Sequence, residues 1–151
     1  MYGPTLFAPM LKLFKETTSV NKERMYYVLL ILTDGCIHDM RETVDQIVEC
    51  SNQPISIIIV GVGNADFTVM EMLDCDDHDL VNGYGISASR DIVQFVRMND
   101  FKQEGSEDQS QLAEAVLAEL PDQLVGYMHD NNIKIGEVFG KSSNDETREP
   151  H

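Results

Sequence analysis

Two apolar runs dominate the hydrophobic pattern of the chain. The first, Tyr26-Tyr27-Val28-Leu29-Leu30-Ile31-Leu32, stops abruptly in Thr33-Asp34-Gly35; the second, Ile55-Ser56-Ile57-Ile58-Ile59-Val60-Gly61-Val62, is mostly β-branched. Such runs predict strands buried on both faces, as in the middle of a parallel sheet covered by helices. Between them, Met40, Val44, Ile47 and Val48 repeat at helical spacing, which predicts a helix over 39–50 with Asp39 as its N-cap. Strand, helix, strand in succession is a right-handed crossover unit, so the two strands should run parallel.

The rest of the pattern extends this unit. Phe7, Met10, Leu11 and Phe14 predict an amphipathic helix over 6–18, with Pro9 in its first turn. A short helix is expected over 67–73, an acidic loop over 74–90 and a third strand over 92–96. Leu112, Val116, Leu117, Leu120, Leu124, Tyr127 and Met128 predict a final helical region that Pro121 kinks or restarts. Beyond residue 130 the chain turns polar, and a disordered tail is expected over 131–151. Three strands are few for a doubly wound sheet containing two such apolar strands, each of which needs neighbours on both edges. The expected fold is therefore α/β, a partial Rossmann-like doubly wound sheet in one domain over 1–130 that lacks its first strands.

Charge narrows the functional classes. Of 151 residues, 26 are acidic and 11 are Lys or Arg, a net charge of −15. The acidity is spread along the chain, at −2, −6 and −7 over residues 1–51, 52–101 and 102–151. No segment offers the basic patch that phosphate backbones or anionic lipids require. Three scattered cysteines, Cys36, Cys50 and Cys75, favour a reducing compartment, with cytoplasmic residence as the default. No apolar run approaches the ~18–20 residues of a membrane-spanning helix.

Candidate chemistry gathers at the strand ends. Asp34 follows the first strand, where ligands of open α/β sheets bind; the alternative is that it caps the turn before Gly35. Thr5 precedes the first helix and either caps it or offers a neutral oxygen to a hard cation shared with Asp34. Gly61-Val62-Gly63 is not a dinucleotide fingerprint, because the third glycine position holds Asp66. Gly85-Ile86-Ser87-Ala88-Ser89 is not a nucleophile elbow, because the second glycine is missing. Asp74-Cys75-Asp76-Asp77-His78-Asp79 does not fit a calcium loop, which needs a glycine at position six and a glutamate at position twelve; these positions are Asp79 and Gly85. It reads as a solvated acidic loop.

Five segments carry a resemblance. Tyr2-Gly3-Pro4-Thr5-Leu6-Phe7-Ala8-Pro9, Val28-Leu29-Leu30-Ile31-Leu32-Thr33-Asp34-Gly35, Pro54-Ile55-Ser56-Ile57-Ile58-Ile59-Val60-Gly61-Val62-Gly63, Arg90-Asp91-Ile92-Val93-Gln94-Phe95-Val96 and Leu117-Ala118-Glu119-Leu120-Pro121-Asp122-Gln123-Leu124-Val125 resemble, in order, the later part of the copine family's C-terminal von Willebrand factor A-type domain. The resemblance implies a metal-ion-dependent adhesion site at the C-terminal edge of the sheet. Asp34 matches the aspartate of the family's Thr-Asp-Gly loop, and Thr5 matches the threonine of its middle loop. Mg2+ or another divalent cation is the implied ligand. The family's Asp-x-Ser-x-Ser-like loop has no counterpart; the nearest fragment, Asp108-Gln109-Ser110, is expected to cap the last helical region.

Copines also carry two C2 domains ahead of this domain, so Ca2+ and phospholipid membranes are expected to act only through those. The implied role is a protein-interaction module, non-enzymatic, that a full-length copine carries from the cytoplasm to the plasma membrane when calcium rises. Partners are a protein, no nucleic acid, and through the open strand a second copy of the chain. The rival is a phosphoryl-transfer or other metal-dependent enzyme using Asp34, which needs further carboxylates and a cation at neighbouring strand ends. A ligase relative needs a Cys-rich zinc module that three cysteines cannot build.

Overall fold

In the computed structural model, the structure describes residues 3–20, 25–74, 79–101 and 107–134. Helix α1 (Ala8–Ser19) precedes strand β1 (Tyr27–Thr33); α2 (Met40–Cys50) crosses over to β2 (Ile55–Gly61). After the one-turn α3 (Thr68–Glu71) come β3 (Val93–Arg97), a 3-10 turn (Met98–Phe101), α4 (Glu107–Leu117) and α5 (Leu120–Asp130). The three strands form one parallel sheet in the order β1-β2-β3. Tyr27 lies beside Ile55, and Ile57 beside Val93.

Of the two runs expected to be buried on both faces, the second is so among the described residues, and the first is covered on one face. β2 is central, and all seven of its residues are buried. β1 is an edge strand among the described residues, with Val28, Leu30 and Leu32 exposed by 45%, 54% and 64%. An unbroken apolar run shows that a strand is suited to cover on both faces, but it does not supply the covering elements.

One face of the sheet carries the main core. Ile31, Ile55, Ile57, Ile59 and Val93 pack with Phe7 and Leu11 of the α1 region, Ile47 and Cys50 of α2, and Phe67, Met70 and Leu73 around α3. On the other face, α5 lies against β2 and α4 against β3. Ser56 donates to Gln123 of α5 at 2.6 Å, and the Gln94 side-chain amide donates to the Ala115 carbonyl in α4. Helices thus lie on both faces, as a doubly wound sheet requires.

Local chemistry explains where the helices begin. Pro9 and Pro121 each sit in a first turn, where no donor is lost. Pro121 therefore restarts the final helical region and divides it into α4 and α5. Asp108 to Ser110 falls inside α4 and does not precede it. Neither Thr5 nor any neighbour caps α1 with a side chain of its own. That role falls to Asp39, whose two carboxylate oxygens accept from the backbone of Phe7 at 2.9 Å and Ala8 at 2.8 Å. Asp39 does occupy the N-cap position of α2, but its carboxylate makes no cap bond to that helix's backbone. The first-turn donors of α1 took a charged acceptor from a distant loop, which sequence spacing cannot reveal.

The glycines after β2 have structural reasons of their own. A Cβ on Gly61 would lie 2.9 Å from the Phe67 ring, and Gly63 has φ of +90°. One glycine admits an aromatic ring and the other turns the chain.

Candidate functional site

The candidate site is the carboxyl edge of the sheet. β1 delivers Asp34 to this edge, where it is exposed and makes no hydrogen bond or ion pair with another described residue. Just before it, the Thr33 hydroxyl lies within 3.5 Å of the Gly35 N–H and bends the chain sharply. The turn continues to His38, which locks onto Thr5: the Thr5 N–H donates to His38 Nδ1 at 3.0 Å, and the His38 N–H donates to the Thr5 carbonyl at 2.9 Å. Thr5 and the segment following Asp34 are therefore joined through two hydrogen bonds, although 29 positions separate the two candidate ligands in sequence. The half-buried Thr5 has its backbone fully engaged, and its hydroxyl bonds no other described residue.

A third loop, after β2, closes this edge. The Cys36 thiol lies 3.6 Å from the Asp66 carbonyl, and Asn99 donates to the Gly63 carbonyl and to the Asn64 side chain. Asp66 accepts from the Thr68 hydroxyl at 2.6 Å and from its N–H at 3.0 Å. Those bonds hold its carboxyl below the usual range. By sequence, Asp66 serves only to exclude a nucleotide site. Asp followed two residues later by Thr before a helix was the available signal for its local role.

Elsewhere, Asp74, Asp91 and Glu119 bring one carboxylate oxygen each within 4.8 Å of the others. Asp74 accepts the Phe95 N–H and Asp91 the Val93 N–H, both on the outer edge of β3, while Glu119 accepts from the Gln123 side chain. These bonds give the cluster a structural role. Residues 75–78 of the acidic run lie outside the described residues, as does the 135–151 part of the expected tail.

As a cation site, Asp34 and Thr5 are the right kind of donor. A carboxylate and a hydroxyl are hard oxygens, and both are available. They are two protein oxygens where a tightly held magnesium ion takes six ligands in all, so waters or further donors would complete the shell. Among the described residues, the cation at the end of β3, Arg97, pairs with Glu71.

Comparison with known proteins agrees with this architecture. The Copine family profile matches residues 1–136. Two proteins of Arabidopsis thaliana are similar to this chain. Protein BONZAI 1 is 46% identical over 136 residues, and Protein BONZAI 2 is 47% identical over 135 residues. Each alignment covers 87% of this chain, which spans only 23% and 22% of the length of those relatives. With a parallel α/β sheet, a Thr-Asp-Gly turn at its carboxyl edge and a family match over nearly the whole chain, the protein belongs to the copine family.

Proposed function

We propose that this chain is a protein-interaction module which presents the carboxyl edge of its sheet, around Asp34 and Thr5, to a protein partner. The family match over residues 1–136 carries the reading, and the exposure of Asp34 supports the choice of edge. A divalent cation, magnesium first, is held there by the Asp34 carboxylate and the Thr5 hydroxyl, with water in the remaining positions. The cation supplies a local positive charge on a chain of net charge −15, and so a place where an anionic group of the partner is accepted. The module is not catalytic, does not bind nucleic acid, and works in the cytoplasm.

Calcium and phospholipid enter through C2 domains of a longer copine polypeptide, which takes this module to the plasma membrane. The size of the endogenous protein tests that part. A species well above 17.0 kDa that moves to the membrane fraction when calcium rises is expected; a 17 kDa species that stays soluble under calcium overturns it.

The edge itself is tested by titrating Mn2+, as a paramagnetic stand-in for Mg2+, into the 15N-labelled chain. Broadening centred on the amides of Asp34, Gly35 and Thr5, abolished in Asp34→Asn, is expected. Broadening elsewhere, or unchanged in the variant, refutes the site. Turnover of a phosphate ester that depends on Asp34 would replace the reading with the enzymatic one.

A further inference from the structure

Residues 80–89 fold into a hairpin that lies against α2. Val81 bridges Ser87 in antiparallel fashion, the Asn82 N–H donates to the Ile86 carbonyl at 2.9 Å, and the Gly85 N–H donates to the Asn82 carbonyl at 3.0 Å. Gly85, with φ of +77°, supplies the left-handed turn. Two bonds anchor the hairpin to the helix. The Ser89 N–H donates to Ser51 Oγ at 2.8 Å, at the end of α2, and the Gly83 N–H donates to the Asp45 carboxylate at 3.1 Å, in its middle.

Asn82 is the one asparagine of the chain that is followed by glycine. The peptide nitrogen after an asparagine can close on the side-chain amide to form a five-membered succinimide, and glycine leaves that nitrogen unshielded.

The fold acts on this reaction in three ways. Asn82 Oδ1 accepts the Tyr84 N–H at 3.0 Å and the Ile86 N–H at 2.9 Å. The two donors identify that atom as the oxygen. The turn closed by the Tyr84 bond contains every atom of the ring that would form: Cγ, Cβ, Cα and the carbonyl carbon of Asn82, with the nitrogen of Gly83. The same two N–H groups are bonded to the atom that becomes an oxyanion when Cγ is attacked, the arrangement that stabilises tetrahedral intermediates of acyl transfer. Finally, the Asp45 carboxylate holds the Gly83 N–H and so reaches the proton which that nitrogen has to lose. A bond to N–H lies in the peptide plane, whereas attack uses the π face of the nitrogen, so Asp45 does not block the approach.

We propose that Asn82-Gly83 is a self-modifying site, at which the folded hairpin drives deamidation of Asn82 through a succinimide. Asp45 accepts the Gly83 amide proton as the nitrogen bonds to Cγ, and the carbonyl electron pair moves onto Oδ1, held by the Tyr84 and Ile86 amides. On collapse the Cγ–Nδ2 bond breaks; Nδ2 takes up the proton and leaves as ammonia. Water then opens the ring. Attack at Cγ gives aspartate, and attack at the main-chain carbonyl of residue 82 gives isoaspartate, in which the chain runs through the former side chain.

Both products loosen the hairpin from α2. Aspartate keeps an acceptor for Tyr84 and Ile86 but brings a second carboxylate to the peptide group that Asp45 already holds. Isoaspartate inserts a methylene into the main chain between the groups of residues 82, 85 and 86 whose bonds close the tip. Leu80, which packs against the core at the base of the hairpin, is then held less firmly.

The test follows residue 82 in the 151-residue chain at neutral pH, by peptide mapping and mass spectrometry, with isoaspartate counted by enzymatic methylation. The references are the same chain unfolded in urea and a free peptide of residues 79–90. Asn82 of the folded chain is expected to convert faster than either reference, by about tenfold. Asp45→Asn keeps an acceptor for the Gly83 N–H and removes the base, so it is expected to slow conversion in the folded chain by at least about tenfold. Its melting curve and the hydrogen exchange of the Gly83 amide check that the hairpin stays in place.

Conversion in the folded chain no faster than in the references overturns the proposal, because the turn then shields Asn82; this comparison needs no variant. A rate unchanged by Asp45→Asn in a chain that keeps its hairpin removes the carboxylate from the reaction and overturns the mechanism. None of these outcomes depends on Asp34 or on metal.

Discussion

The two edges of the sheet are built on opposite plans. Along β3, Asp91 and Asp74 place carboxylates on successive outward N–H groups, and α4 packs over the strand. Along β1, three outward peptide groups and three large aliphatic side chains have no cover among the described residues. Edge-blocking costs a protein charged residues near its core, and it is found where pairing would be harmful. Its presence on one edge and absence on the other teaches that, among the described residues, β3 is closed to pairing whereas β1 keeps an edge fit to pair.

Adjacent positions in one register should separate the two regions most strongly. Leu30 lies beside Ile58 on the same face, but Ile58 is 3% exposed and Leu30 54%. Ile58→Ala should cost about 2–5 kcal/mol through lost burial and a cavity. Leu30→Ala in the monomer should stay within about 1 kcal/mol. Paired denaturant titrations under monomeric conditions measure the difference, and equal costs would show that β1 is covered in solution.

A smaller effect should come from the buried layer beneath the sheet. Burial lifts the Cys50 thiol to about 11, against a lowering by nearby Lys15 and a raising by Glu49. The unfolded thiol ionises near 9.0. The contribution is therefore complete below pH 9 and is lost as pH rises from 9 toward 11, by at most about 3 kcal/mol. Cys50→Ala should flatten that part of the stability-against-pH curve. Cys36, exposed at the carboxyl edge, should react with an alkylating reagent while Cys50 stays protected.

The smallest effect concerns the blocked edge. Asp74→Ala removes the acceptor of the Phe95 N–H and should cost about 1 kcal/mol, with faster hydrogen exchange at the Phe95 amide. Asp74→Asn keeps an acceptor oxygen and should preserve more of the protection. If Phe95 exchange is unchanged in both, the edge is protected by something other than this carboxylate.

Much of the architecture was legible because it is local. The apolar run 55–62 became β2 almost residue for residue, and Pro121 divided the last helical region at the position where a proline must. Asp34 could be placed at a strand end because the run ahead of it is uninterrupted. The rest depends on partners distant in sequence. Asp39 serves a helix 31 positions upstream, Asp74 serves an amide 21 positions downstream, and Gly61 answers to the ring of Phe67. The exposed side of β1 was illegible for another reason: hydrophobicity records what a strand is fit to touch, not what touches it.

Asp39 also ties the molecule together mechanically. The turn 34–39 has the exposed Asp34 at one end and, at the other, the carboxylate that holds the first amides of α1, with His38 clasping Thr5 between them. The turn is a strut between the candidate ligand edge and α1. A load that drags Asp34 outward cannot leave α1 in place without breaking those bonds, so force applied at the rim is transmitted to α1.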